Sequence, residues 1–277
     1  MNQTLNSKLD ALLVNTGDMA LKRRAKKIIS ELDPQKNEKI LDVGCGDGYY
    51  LYLLDNLGLQ LRLTGTDFDA AGLKNARKNL RKTIPLVQAD LMKKLPFKDN
   101  TFDKIVMSEV AEHLPNDVKG LKEVYRVLKP GGTLCLTVPD ANYPLFWDPV
   151  NWVLERTANR HNESGFWAGI WNQHIRLYKR KDIVAVAEKA KFNVVESGAV
   201  TFWSLPFNHY IINFVARALY GGKMSSDMVA AVSKYQKNPK RPFHLNLAFG
   251  SVNALDKLND LYQSREIGVS IFIKAVK

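Results

Sequence analysis

The chain is short of cysteine, of acidic residues and of any repeated unit. Cys45 and Cys135 are the only cysteines among 277 residues, too few for a disulfide framework, so a cytoplasmic setting is the simplest expectation. Met1 to Ser7 contains no basic segment leading into an apolar run, and no secretion signal is expected. Without an internal repeat or a low-complexity tract, neither a solenoid nor a disordered tail is indicated. Acidic residues number 28 against 40 Lys and Arg, a formal charge of +12. Two dense clusters carry much of it: Lys22, Arg23, Arg24, Lys26 and Lys27, then Lys179, Arg180 and Lys181. Such fields attract phosphates of nucleic acids, acidic metabolites or anionic lipid surfaces. A solvated basic surface explains each cluster equally well.

What is present is a soluble globular composition, 45% apolar and 25% charged, in a chain long enough for one large domain or a domain with a cap. From 39 to 139 the pattern alternates strand, loop and helix. Strands are expected at 39–43, 61–66, 84–88, 102–107 and 132–138, and helices at 48–57, 69–81 and 117–128. This predicts an α/β fold: a Rossmann-like, mostly parallel, seven-stranded sheet with helices on both faces. A helix over 179–190 and strands over 192–199 and 267–275 complete it. An amphipathic helix is expected at 18–32, within an N-terminal helical segment, 1–38. The core then comprises 39–200 and 266–277. The aromatic stretch 139–178 lacks a clean period and reads as a cap or substrate loop, and 201–265 as an inserted cap. Inside that insert, Phe207, Tyr210, Ile211, Phe214 and Val215 recur at helical spacing. The run is too short and polar to cross a bilayer. It suits a buried cap helix, a membrane interface or the mouth of an apolar substrate site.

The chemistry concentrates in Ile40-Leu41-Asp42-Val43-Gly44-Cys45-Gly46-Asp47-Gly48. Alternate glycines after an apolar strand allow a sharp turn and close approach of a ligand to bare backbone. Their spacing is not the dinucleotide fingerprint Gly-x-Gly-x-x-Gly/Ala. Asp42 and Asp47 would oppose a pyrophosphate at a cost of about one to several kcal/mol. They suit the cationic S-adenosylmethionine instead, Asp42 at its ammonium end and the backbone of Gly44, Cys45 and Gly46 around the methionine moiety; Asp47 alternatively caps the next helix. Asp67, ending the second strand with Phe68 beside it, is placed to accept the ribose hydroxyls. Asp90 is placed for the adenine amino group, with Leu91 as an apolar edge, or else caps a turn. Glu109 closes the site beneath the methionine end.

These residues resemble the class I S-adenosylmethionine-dependent methyltransferases, in particular the broad type 11 group that includes quinone-biosynthesis enzymes. The likeness covers about 40–139, including the stretches 102–114 and 121–132, with a looser echo at 174–180. It implies the fold, the cofactor and methyl transfer. The long insert 201–265 departs from the compact family pattern and points to a specialised acceptor site.

In-line transfer from a sulfonium calls for no metal; it needs alignment and exclusion of water. His113 and His174 are the candidate bases, with structural roles as the alternative: a loop tie for His113, a cap–core pin for His174 and Arg176. Trp167, Trp171, Arg176 and Tyr210 are the candidate substrate contacts. The expected acceptor is an apolar, anionic, lipid-linked or quinone-like small molecule, reached in the cytoplasm or at the cytoplasmic face of an anionic membrane. Nucleic acid, tRNA above all, is the rival acceptor, and a catalytically silent cofactor-binding partner subunit is the third reading.

Overall fold

A computed structural model describes residues 1, 3–203, 231–236, 240–261 and 266–277. Its seven strands are β1 (Lys39–Val43), β2 (Arg62–Asp67), β3 (Leu86–Gln88), β4 (Phe102–Ser108), β5 (Leu128–Pro139), β6 (Asn193–Val200) and β7 (Ser270–Val276). They form one sheet in the order β3-β2-β1-β4-β5-β7-β6. The first five are parallel, and β7 runs antiparallel between β5 and β6. The strand order reverses between β1 and β4, which opens a crevice beyond their carboxyl ends. The α/β sheet expected from the sequence is the one observed.

The helices are α1 (Gln3–Leu13), α2 (Met19–Leu32), α3 (Tyr49–Asn56), α4 (Ala70–Asn79), α5 (Asp117–Val127), α6 (Pro149–Ala158), α7 (Arg180–Lys189) and α8 (Phe243–Asp256). Strand β1 buries Ile40, Leu41, Asp42 and Val43 in succession, as a central strand covered on both faces must. Helices α1, α2 and α3 cover one face: Leu9, Leu13, Ile28, Ile29, Leu51 and Leu53 share a core with Ile40, Val106 and Phe272. Helices α5 and α7 cover the other, where Leu121, Val124 and Ile183 meet Leu41, Ile105 and Ile273. The N-terminal segment is thus built into the main core. Among the described residues no helix is long and apolar enough to cross a membrane.

Several boundaries differ from expectation for identifiable reasons. Strand β3 starts at Leu86 because Ile84 closes a turn onto Arg81 and Pro85 has no N–H to give. Strand β5 begins at Leu128, ahead of the Lys129-Pro130-Gly131-Gly132 turn, and absorbs it as a register shift against β4 with Gly131 at φ 73°. The aromatic stretch holds a helix, α6, that its irregular periodicity hides. Its start signal is present in Asp148-Pro149: the Asp148 carboxylate accepts the Asn151 N–H at 3.1 Å and Pro149 occupies the first turn. Tyr143, Trp147 and Ile170 bury together with Ala20 and Val269 as a satellite core. Tyr210 and the apolar run around it lie outside the described residues.

The first basic cluster is not a free anion-binding face. Lys22 and Arg23 pair with the buried Asp256 of α8 at 3.0 and 2.7 Å, and Arg23 also reaches Asp260. Lys26 pairs with Asp10, and Lys27 with Glu31 and Glu196. Arg24 turns inward. Positive charge on α2 therefore docks α8 and the sheet edge. Removing Asp256 would leave two largely buried cations without their shared carboxylate, a loss of about 2–4 kcal/mol. Asp256→Ala is expected to lower the thermal midpoint by roughly 5–10 °C in scanning calorimetry; an unchanged midpoint would mean that α8 is held by other contacts.

Candidate functional site

The glycine loop joins β1 to α3 at the crevice. Gly44 and Cys45 both donate their N–H to the Thr66 carbonyl, at 2.8 and 3.0 Å, which locks the loop to the end of β2. Gly44 has φ 70°, and a Cβ there would sit 2.3 Å from Val110 Cγ2, so the loop and the segment after β4 touch backbone to side chain. Gly46, at φ 49°, differs: nothing lies within 4 Å of where its Cβ would be. The loop thus presents bare backbone to open space at one point, as a ligand cradle requires. Cys45 contributes backbone only. Its thiol is buried against Gly65, and burial, then Asp42, pushes its pKa up.

Asp42 is 1% exposed, and its Oδ2 has no hydrogen-bond partner. Burial, reinforced by Asp67 and Asp47, holds its pKa well above the usual carboxylate range. A buried acid beside two others is costly unless a cation joins it. That set of acceptors fits an ammonium-bearing ligand. Asp47 itself pairs with Lys234 at 2.9 Å, and Tyr235 donates its hydroxyl to the Asp47 carbonyl at 2.9 Å. The described part of the insert at 231–236 therefore rests on the glycine loop.

Asp67 accepts the Gly46 N–H at 2.7 Å and the Asp69 N–H at 2.8 Å, and each carboxylate oxygen keeps a lone pair for another donor. Phe68 next to it is 73% exposed, an apolar ring left beside the crevice. Asp90 closes a turn by accepting the Met92 N–H at 2.8 Å, with the solvent-exposed Lys93 3.9 Å from its other oxygen. Leu91 is buried in the core under α5. Glu109 adopts φ 55°, a left-handed conformation uncommon for a side-chain-bearing residue. Its Oε2 lies 3.7 Å from Arg24 Nη1, which also donates to Ser270 Oγ at 3.2 Å. Tyr50, Ser108 and Thr137 continue the polar floor as a chain of hydroxyl contacts, each 2.9 Å.

Beyond β4, a single 3₁₀ turn over Ala111–His113 carries Glu112 and His113. His174 comes from the loop before α7 and meets them: its Nε2 is 3.8 Å from Glu112 Oε1, and His113 Nε2 is 3.9 Å from the same oxygen. The two rings meet edge to face at 4.9 Å. The Gln173 carbonyl accepts from His113 Nδ1 at 2.9 Å, which leaves the Nε2 lone pair facing Glu112. The two candidate bases are therefore one cluster, joined by an acid that the sequence pattern left in the background.

The remaining candidates are placed differently. Arg176 reaches Asp117 at 3.2 Å and the Pro115 carbonyl at 3.3 Å, and Tyr178 donates to the same Asp117. That is the cap–core pin named above as the alternative. Trp171 gives its indole N–H to Glu155 and stacks on His161, so its ring is engaged within the aromatic segment. Trp167 is 50% exposed. Asp103 accepts the Lys39 N–H at 2.8 Å and pairs with Lys129 at the opposite end of the sheet. Arg24 was missed as a site residue, although a signal existed. It stands three residues after Leu21 and four before Ile28, on the apolar face of α2 rather than with its basic neighbours.

A family profile described as "Methyltransferase domain" matches residues 41–136. The demethylmenaquinone methyltransferase of Staphylococcus epidermidis is 36% identical over 125 residues, 44% of this chain and 52% of that protein. The chain thus spans about half the length of the curated relatives it matches. A complex between the Haloferax volcanii Trm112 methyltransferase activator and a methyltransferase superposes with a TM-score of 0.58 at 15% identity, over 100% of this chain and 98% of that one. Phosphoethanolamine N-methyltransferase 2 of Haemonchus contortus, solved with S-adenosyl-L-methionine, gives 0.55 at 18% identity over 98% of this chain and 57% of that one. At such identities the two structures speak for the fold. Residues 41–136 thus match a methyltransferase-domain profile, and the α/β sheet that carries them is the fold of the solved methyltransferases above.

Proposed function

We propose that this chain transfers a methyl group from S-adenosylmethionine to an apolar, quinone-like small-molecule acceptor. The observation that carries the reading is Asp42: a buried carboxylate oxygen without a hydrogen bond, on the strand that leads into the glycine loop and close enough to Asp67 and Asp47 to feel their charge. Asp42 would hold the α-ammonium, the backbone of Gly44 to Gly46 the methionine moiety, Asp67 the ribose hydroxyls and Asp90 the adenine amino group. Phe68 and Leu91 are the apolar residues assigned to the adenine end, and Glu109 closes the floor. When bound, the cofactor supplies an electrophilic methyl group on a sulfonium.

The chain's own residues would do the rest. Tyr50, Glu112 and Thr137 are buried, which favours exclusion of water from the reaction. A hydroxyl or acidic carbon on the acceptor must lose a proton, and the Nε2 lone pair of His113, with His174 and Glu112 alongside, is the place for it. The acceptor class draws on the likeness to the demethylmenaquinone methyltransferase of Staphylococcus epidermidis. Apolar side chains left exposed on α8 and after it, among them Phe243, Leu247 and Leu261, support working at a lipid surface. Internal pairing of the α2 cluster weighs against nucleic acid.

The test is transfer of a labelled methyl group to cell extract, followed by partition into lipid, RNA, protein and small-molecule fractions. Label is expected in the lipid fraction, with the protein sedimenting with anionic vesicles at low salt. Label confined to RNA or protein would overturn the acceptor assignment, and no label in any fraction would favour a cofactor-binding subunit without turnover.

A further inference from the structure

We infer that Glu112, His113 and His174 form a binding site for one divalent transition-metal cation. One carboxylate oxygen and two imidazole nitrogens from these residues lie within 4.8 Å of one another. Glu112 is 0% exposed, and neither of its carboxylate oxygens has a hydrogen-bond partner. The histidines stand 3.8 and 3.9 Å from Oε1, too far for hydrogen bonds. A carboxylate at this depth with no bond to either oxygen is strongly disfavoured unless a cation joins it.

The spacing suits a shared ion better than direct contact. Ligand atoms about 2.1 Å from a tetrahedral centre are about 3.4 Å apart, so the two separations from Oε1 need contract by only a few tenths of an ångström. The surroundings do what metal sites require of an outer shell. The Gln173 carbonyl takes the His113 Nδ1 proton and leaves Nε2 as the ligand atom. Ile175 N–H donates to the Glu112 carbonyl at 3.2 Å and Tyr178 donates to the Ala111 carbonyl at 3.2 Å, which ties the His174 loop to the 3₁₀ turn. Glu109 is turned to Arg24 instead and is not part of the set.

Two imidazoles and one carboxylate favour zinc, manganese or iron-like cations over calcium or magnesium. Three protein ligands leave at least one position open. Val110, two residues before Glu112, packs against Gly44, so the cluster adjoins the glycine loop. With a cation bound, the His113 Nε2 lone pair is a ligand and no longer the base; the cation would instead bind an acceptor oxygen and ease release of its proton to solvent. This deepens the methyl-transfer reading and rests on it for its role, while the site itself rests on geometry. It also departs from the sequence reading, which called for no metal because in-line transfer from a sulfonium needs none.

Tag-free, metal-stripped full-length protein would be titrated with Zn2+ by calorimetry and with Co2+ by visible absorption. One saturable equivalent is expected, with d–d bands of a nitrogen- and oxygen-ligated Co2+. Glu112→Gln and His174→Ala are each expected to weaken binding at least tenfold, and His113→Asn, at an exposed position, serves if either fails to fold by circular dichroism. Absence of a saturable equivalent, unchanged affinity in the folded variants, or binding of Mg2+ but not Zn2+ or Co2+ would overturn the inference. S-adenosylmethionine is titrated into the same metal-free samples. Its binding without metal binding rejects this site alone; loss of both rejects the methyl-transfer reading as well.

Discussion

Asp42→Asn is expected to weaken S-adenosylmethionine binding about 100-fold and to abolish its dependence on pH. In the free protein the Asp42 carboxyl is held well above the usual range, first by burial and then by Asp67 and Asp47. A cation at this carboxylate favours the ionised form, so binding must lower the pKa. Between the bound and free values each binding event releases a proton. Affinity therefore rises with pH, by as much as tenfold per unit, and levels off above the free-state pKa. Asparagine keeps the shape and loses both the charge and the titration. Removing one partner of a buried charged contact costs about 2–4 kcal/mol, which sets the size of the loss. The same pKa has a consequence for stability. A carboxyl whose folded pKa is raised contributes stability below its unfolded pKa, and that contribution is lost as pH rises through the folded pKa. The variant should thus melt higher than the parent at alkaline pH and alike at acidic pH. Calorimetric titrations from pH 5 to 9, with melting curves alongside, measure both effects. An Asp42→Asn variant that binds as tightly as the parent, with the same slope, would remove Asp42 from the cofactor site.

How far this site was legible depended on whether its parts are local. The strand-loop-helix around Gly44, and the acids at or just after the ends of β1, β2 and β3, announce themselves because each lies within a few residues of a strand. Arg24 was legible in principle: its place on the apolar stripe of α2 conflicts with its charge, and such conflicts mark functional or pairing positions. The neutralising of its basic neighbours was not legible, since Asp256 and Asp260 come from the far end of the chain. The meeting of His113 with His174 is likewise a product of the long excursion through α6, whose aromatic residues pack for their own burial and carry no helical stripe. Trp171 and Arg176 show the converse. Residue types that recognise ligands were engaged in holding the excursion down.

Gly44→Ala and Gly46→Ala are expected to fail in different ways, although they are two residues apart in one loop. Both glycines have positive φ, 70° and 49°, so a methyl group at either costs about 1–2 kcal/mol in backbone strain. At Gly44 the new Cβ also meets Val110 Cγ2 at 2.3 Å, and overpacking adds about 1–3 kcal/mol. Val110 leads directly into Glu112 and His113, so relief of the clash must displace the 3₁₀ turn that carries them. The expected result is a fall of roughly 6–12 °C in the thermal midpoint, with cofactor and metal affinity lost together. At Gly46 the methyl enters open space and the fold loses only the strain, a fall of about 2–5 °C. That space is where the proposed ligand approaches the backbone, so affinity for S-adenosylmethionine should drop about 100-fold while Zn2+ binding at Glu112 persists. Melting curves and paired titrations on the two variants separate the cases. If Gly46→Ala bound the cofactor normally, the open side of the loop would not be the cradle, and the ammonium assigned to Asp42 would need another path to that carboxylate.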